Sequence, residues 1–302
     1  MVMRINKVVV AFIMTFVSIC TFAKIENTKP VKKIKLKDLS FHQGLFLEWN
    51  KLGSIADFKT LAPKSVLLKT PTDDFMQGSG TSTSGNTAFS FLLGFQLLDK
   101  QKNSYKSNPY LRLGVSYYSI TSITTFATKD KRRTVDTLTS AQTGKTIYID
   151  SLTTQILNLD YTTSQLRFDG SLLMRTNPEK RWLVYTGIGL TAGLSVNATT
   201  EIYYNKYYGT QTIDAKDGAL LTYDYSYSSN TKSEKFKNKP TLGGSVYIPI
   251  GVTFRLGNQR AFWKHTHLYY EFRPGMNITN IPALRTIANA SLHHGLGLRW
   301  AL

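Results

Sequence analysis

"TAFSFLLGFQLL", Thr87–Leu98, decides the fold. Phe89, Phe91, Leu93, Phe95 and Leu97 occupy every second position, opposed by Ala88, Ser90, Gly94 and Gln96. A helix would spread those phenylalanines around its circumference; a strand sets them on one face. Tyr110–Tyr118 repeats the pattern, with Leu111, Leu113, Val115 and Tyr117 against Arg112, Gly114 and Ser116. Six more segments alternate: Phe41–Asn50, Leu157–Met174, Trp182–Ala192, Val246–Leu256, Leu268–Met276 and Ala288–Leu302. In Leu157–Met174 the apolar residues change phase, from Leu157, Leu159 and Tyr161 to Leu166, Phe168, Leu172 and Met174, which predicts a bulge near Thr163–Gln165.

Three features separate a membrane barrel from a soluble sandwich. The connections alternate in length. "DKQKNSYKSN", "TNPEK" and "GNQRA" are short, whereas Leu52–Asn86, Thr128–Leu152 and Tyr203–Pro240 are long. Outer-membrane barrels alternate in this way, with the short turns in the periplasm. The polar faces carry glycine, serine and arginine and must line a small interior. Aromatic residues stand at strand ends: Trp49, Trp182 and Trp300 are expected in the two interfacial girdles, while Trp263 falls on the wrong parity. The prediction is an all-β, eight-stranded antiparallel transmembrane β-barrel with long extracellular loops. A ten-stranded barrel is the alternative, with the fifth strand running on to Tyr208 and Tyr223, Tyr225 and Tyr227 forming another.

Residues 1–23 read as a signal peptide: Arg4 and Lys7, an uncharged Val8–Ile19 run, then Thr21-Phe22-Ala23 as the cleavage site. Cys20 is the only cysteine, and the bulky Ile19 before it argues against lipidation. The chain after Ala23 therefore has no disulfides, and no run of some eighteen apolar residues to span a membrane as a helix. The formal net charge of +18 suits a phosphate-bearing membrane surface. Nucleic acid is not expected, because no zinc-finger spacing or RNP-like segment is present. Residues 24–40 form a basic periplasmic segment, and 41–302 the barrel.

"RFDGSLLMRTNPEKRWLVYTGIGLTAGLS" followed by "SVYIPIGVTFRLG" resembles the outer-membrane β-barrels of Bacteroidetes, the PorT-like group, and more broadly the small OmpA/OmpX-type barrels. The resemblance covers roughly Leu157–Leu302 and implies an outer-membrane location in a Gram-negative cell and an eight-stranded fold. It carries over no functional residue. PorT itself resembles a component of a secretion machine, so an envelope or secretion subunit is one functional expectation.

The lumen-parity residues predict a charge network of Glu48, Arg112, Arg167, Asp169, Arg255, Glu271, Arg273 and Arg299, joined by Arg175. Enclosed carboxylates and guanidinium groups must pair, and a barrel of this size has room for side chains but not a channel. A plugged, non-enzymatic barrel is the leading expectation, its outer loops serving binding or envelope integrity. Ser291 and His293 suggest the alternative of a lipid A acyl hydrolase of the PagL type. They share one face about 7 Å apart, given ~3.4 Å per residue, and stand in the reverse order to that family's motif. His265, His267 and His293 lack a matched fourth metal ligand, so neither metal nor cofactor is expected. His294 takes the lipid-facing parity, an awkward place for it. The partners expected are outer-membrane lipid and lipopolysaccharide, with "KDKRR", Lys129–Arg133, as a candidate phosphate clamp and Tyr203–Tyr227 as a candidate recognition surface. "KPVKKIKLK", Lys29–Lys37, reads as a tether or a short periplasmic strand.

Overall fold

In the computed structural model, the residues described are 33–302 without 70, 71, 73, 99–108, 179, 225–229, 258 and 259. The signal peptide, most of the basic N-terminal segment, Tyr225 and Tyr227 lie outside them. The elements are β1 (Lys33–Lys51), α1 (Ile55–Leu61), β2 (Met76–Gln77), β3 (Thr81–Leu98), β4 (Tyr110–Thr139), β5 (Thr146–Arg175) and β6 (Trp182–Asp214). They continue with β7 (Leu220–Asp224), β8 (Asn230–Lys237), β9 (Leu242–Tyr247), β10 (Ile250–Arg255), α2 (Ala261–His265), β11 (Thr266–Asn280) and β12 (Thr286–Ala301). No helix among the described residues is long and apolar enough to cross a membrane.

The strands close into an antiparallel ring of eight: β1, β3, β4, β5, β6, the β9–β10 strand, β11, β12 and back to β1. Closure runs from Asp38 opposite Ala301 to Trp49 opposite Ala290. Pro249 has no N–H to give a ladder, and the sixth ring strand is split there into β9 and β10. Of the ten-stranded alternative, the fifth predicted strand does run past Tyr208, as β6 to Asp214, and Tyr223 lies in β7; β7 and β8 pair with the far part of β6 and stay outside the ring.

The direct cross-strand partners trace a spiral. Starting from Trp182 it passes Phe254, Leu268, Leu298, Phe41, Phe91, Val115 and Phe168 and returns to β6 at Ala192. That displacement of ten residues in one circuit is the shear of the barrel, and it tilts the strands by about 40°. Every residue on the spiral is apolar and faces outward. The inward row on each strand holds Arg, Glu, Asp, His, Asn, Ser and Gly. A sheet apolar outside and polar inside is the inverse of a soluble core, and hydrocarbon is the medium that accommodates it.

The phase change within β5 has a different origin from the one expected. Its odd-numbered residues face inward throughout, from Leu157 and Tyr161 through Arg167 and Asp169 to Leu173. The register shifts lie in its two neighbours, with Ser122 the extra residue in β4 and Val196 in β6. It is the surroundings of β5 that invert. Below this level the outward side meets lipid; above it the inward side meets a water-shielded apolar core. That upper core gathers Phe58, Leu61, Leu68, Ile123, Ala127, Leu157, Leu159, Tyr161, Ala198 and Ile202.

The first long loop supplies the lid of that core. Ser54 caps α1, its hydroxyl accepting from Asp57 N–H at 3.1 Å while Ser54 N–H donates to the Asp57 carboxylate at 2.9 Å. The helix drops Phe58 and Leu61 into the mouth of the barrel. Gly53 N–H donates to Thr124 O and Gly78 N–H to Phe126 O, both at 2.9 Å. The Asn238 amide donates to Leu61 O at 2.7 Å and Glu234 accepts from Val66 N–H at 3.1 Å.

Three predicted boundaries change. β1 begins at Lys33, so Lys33–Ser40, assigned to the periplasmic segment, is barrel strand. Thr128–Leu152 is the prolongation of β4 and β5 into a hairpin, turned at Gly144 with φ +66°. β6 likewise runs past Ala192 to Asp214. These prolongations, with β7, form a blade outside the membrane; from Ile123 to Thr139 it extends about 50 Å of strand at ~3.4 Å per residue.

Replacing Phe58, which is 0% exposed, by Ala removes a core ring and should cost the lid about 3–5 kcal/mol. The expected result is rapid protease cleavage within 52–80 while the barrel still migrates heat-modifiably on denaturing gels.

Candidate functional site: the filled lumen

Three strands send charge to one level of the interior. Arg112 on β4 makes a bidentate pair with Glu271 on β11, at 2.6 and 2.8 Å. Arg273, two residues further along β11, donates to Glu271 and, at 3.0 Å, to Asp169 on β5. Tyr185 donates to Glu271 and Tyr247 to Asp169, and Ser116 Oγ reaches Asp169 at 2.7 Å. Two guanidinium groups and two carboxylates thus neutralise one another in a fully enclosed layer. The tyrosines take the remaining acceptor positions.

A second layer lies towards the outer side. Arg167 donates to Gln165 Oε1 and Asn277 Oδ1, both at 2.8 Å, and its guanidinium lies 5.1 Å from the Tyr118 ring centroid. Asn277 and Asn289 each donate to Glu48 at 2.9 Å. Glu48 is therefore tied to Arg167 through an amide relay rather than by a direct bond. Asn50 extends the relay, donating to Thr121 O at 2.7 Å where β3 and β4 part.

The mouth at the short-turn end holds the rest. Arg299 approaches Asp38 at 3.9 Å, Asp38 accepts from Tyr110, and Arg175 stacks 4.1 Å from the Tyr110 ring centroid. Arg255 donates to Pro178 O at 3.3 Å, away from the two inner layers. Of the residues expected to form one network, Arg112, Asp169, Glu271 and Arg273 meet directly; Glu48 and Arg167 form a separate layer; Arg255 and Arg299 stand apart at the mouth. The reading from sequence missed Asp38, Tyr185, Tyr247, Asn277 and Asn289. Asp38 shares the parity of Glu48, the one signal that could have found it.

Ser291 and His293 both face inward and are buried. His293 sits among rings, 4.8 Å from His42, 5.8 Å from Tyr118 and 6.5 Å from Phe46 between centroids. Neither ring nitrogen of His42 or His293 has a hydrogen-bond partner among the described residues. His265 lies in α2, where Nδ1 contacts Ala301 O at 2.9 Å, and His267 sits deeper at the same end. The three histidines do not converge, and among the described residues no group of three or more candidate ligands could hold a metal.

The tryptophans mark two levels. Trp182 packs at a tilt against Phe254 at 4.5 Å, and Trp300 edge-on against Phe262 at 4.7 Å, at the short-turn end of the barrel. Trp49 stands at the outer end, opposite Thr83 and Ala290. Trp263 seemed to break the alternation because it is in α2, packed 4.9 Å from Phe262, where strand parity has no meaning.

No family model matches the chain, and no curated protein does. Among solved structures it is similar to OprB of Pseudomonas putida, at 6% identity over 90% of this chain and 94% of that one, with a TM-score of 0.12. It is also similar to OmpT of Vibrio cholerae, at 10% identity over 93% of this chain and 100% of that one, TM-score 0.14. The outer membrane channel DcaP of Acinetobacter baumannii gives 8% identity, 92% and 99% coverage and a TM-score of 0.14. Similarity this low carries no argument; the barrel is read from its own ring of strands.

Two outcomes are expected. Glu271→Gln leaves Arg112 and Arg273 short of a buried counter-charge and should destabilise the barrel by about 3–5 kcal/mol, read as a lower urea midpoint in detergent. Outside the membrane, hydrogen bonds from Thr134 at 2.7 Å and Gln211 at 3.2 Å, with Arg132, hold the Asp150 carboxyl below its usual range. A depressed carboxyl stabilises the blade above the usual aspartate value of about 3.9, and that contribution disappears as pH falls through the lower folded value. The protection factors of the Lys131–Leu152 amides, exchange rates corrected for their intrinsic pH dependence, should therefore fall between about pH 5 and about pH 2, and Asp150→Asn should abolish the fall.

Proposed function

We propose that the protein is a non-enzymatic barrel of a Gram-negative outer membrane whose working part is the outer blade, held by a plugged stalk. The observation that carries this reading is double closure. The Arg112–Glu271–Arg273–Asp169 layer fills the interior, and the α1 loop seals the outer mouth with an apolar core. A solute has no path through, so function resides on surfaces.

The blade offers a chemically mixed surface. Of "KDKRR", Lys129 pairs with Asp74 on one face and Arg132 with Asp150 on the other, while Lys131 and Arg133 continue the face of Lys129. Tyr203, Tyr208 and Tyr223 add exposed phenols. At this height Lys131 and Arg133 stand tens of ångströms beyond the lipid boundary, by ~3.4 Å per residue of strand. Their reach is to the saccharide and phosphate of lipopolysaccharide outside the bilayer rather than to the lipid itself.

The test has two parts. The chain should fractionate with the outer membrane and give no stepwise conductance in planar bilayers; solubility without detergent, or steady conductance, would refute the reading. Purified lipopolysaccharide from the host strain should bind the detergent-solubilised barrel, and the Lys131→Ala, Arg133→Ala pair should weaken binding severalfold, as expected for two exposed phosphate contacts.

A docking subunit of an envelope or secretion machine is the second reading. Its support is the basic rim at the short-turn end, where Lys35, Lys37, Arg175, Arg255 and Arg299 gather and Asp38 is the acidic side chain beside Arg299. Periplasmic cross-linking from Lys35 distinguishes the two. A lipid A hydrolase built on Ser291 and His293 would need those inward side chains to reach an ester outside the wall, and it gains no support.

A further inference from the structure

The lipid-facing surface contains a polar exception confined to one place. On β3, β4, β5, β6 and the β9–β10 strand, the outward positions between the girdles are Leu, Phe, Val, Ile, Met, Ala and Gly, with Thr186 and Tyr117 the polar-tipped members and Thr87 at the upper margin. Across the closing seam the pattern changes. Gln43 on β1, His294 on β12 and Tyr270 on β11 all face the hydrocarbon. They line one groove of about 630 Å³, walled by Phe41, Leu45 and Leu298.

Height along the barrel follows from the spiral. Gln43 stands two positions above Phe41 and His294 four above Leu298, and the tilt brings the two to nearly the same level. That level is about midway between Trp182 and Trp300 below and Trp49 above, given ~3.4 Å per residue at about 40° tilt. The Tyr270 hydroxyl lies 3.4 Å from His294 Nδ1, so these two satisfy one another in part. The Gln43 carboxamide has no hydrogen-bond partner among the described residues. An unpaired amide in hydrocarbon is costly, on the order of several kcal/mol.

We propose that this seam is a self-association surface, in which a second copy docks about a two-fold axis along the membrane normal and the two Gln43 carboxamides exchange hydrogen bonds. Lipid head groups do not reach the bilayer midplane, and acyl chains bring no acceptor there, so the group that satisfies Gln43 comes from protein. A carboxamide carries donor and acceptor together and is complementary to itself. A two-fold along the normal also sets the same residue of the second copy at the same depth, with the Tyr270–His294 pair beside it. The Phe41–Phe89 stack, with centroids 6.5 Å apart, borders the groove and forms the apolar ridge that meets the partner's groove.

Cysteine cross-linking tests this directly, since Cys20 is the only cysteine of the chain and can be replaced by Ser. Leu296→Cys lies between Gln43 and Tyr270 on the wall, and Leu172→Cys lies on β5, away from the seam. In outer membranes treated with a mild oxidant, Leu296→Cys should give a species at about twice the mass of the monomeric chain, and Leu172→Cys should not. Gln43→Leu keeps the wall apolar and should weaken the dimer about tenfold in detergent dilution, with unchanged heat-modifiability showing that the barrel is intact. Equal cross-linking at both positions, a monomer at every concentration in nanodiscs, tighter dimerisation by Gln43→Leu, or a Leu296→Cys adduct with a different protein would each overturn the proposal.

Discussion

A strand in hydrocarbon must present its apolar side outward, and the same strand in water, a few residues further on, must bury it. Everything else in this molecule follows from meeting both demands with one continuous chain. β5 meets them without a bulge of its own: its inward row changes from Asp169, Arg167 and Gln165 to Tyr161, Leu159 and Leu157 at the membrane edge. The neighbours adjust around it, each with an extra residue at that level, Ser122 in β4 and Val196 in β6. A bulge increases local twist. Placed here, the two bulges let the wall change from a closed cylinder into an open blade.

The polar interior is the second consequence. Side chains turned away from lipid enter a space too narrow for bulk water, so each charge must find its partner inside. Arginine suits this because its fork engages two acceptors at once, as Arg112 does with Glu271 and Arg273 does with Glu271 and Asp169. Glycine is the other half of the solution. At the closing seam a side chain on Gly44 would run into the carbonyl of His294, so β1 and β12 come together only without one.

Alternation made the ring legible in sequence, because lipid on one side and charge on the other give the strongest contrast a strand can show. Phe89, Phe91 and Phe95 against Ser90 and Gly94 leave no doubt about face or period. The blade was not legible for the opposite reason. "TKDKRRTVDTLT" has water on both sides, so its strand character is carried only by Thr and Val, and periodicity is silent. The lid was hidden differently: Phe58, Leu61 and Leu68 are ordinary loop hydrophobics until the structure places them above the barrel mouth. Parity gave the inward direction of the charged residues, but only register reveals that Glu271 lies between two arginines while Glu48 meets amides. His294, unaccountable as a single residue, makes sense beside Tyr270 on the next strand.

One strand carries all three levels. Arg167 and Asp169 anchor β5 in the lumen, Leu157 and Leu159 hold it under the lid, and Asp150 ties its far end to Thr134 and Gln211 of the neighbouring strands. A rigid charged layer below thus fixes the direction of a surface tens of ångströms above it, by ~3.4 Å per residue of strand. A pore would have to give up that layer, since water in the lumen would compete for each guanidinium. The plug is therefore more than an obstruction: it is the foundation that lets an exposed, two-sided blade keep one orientation without a disulfide.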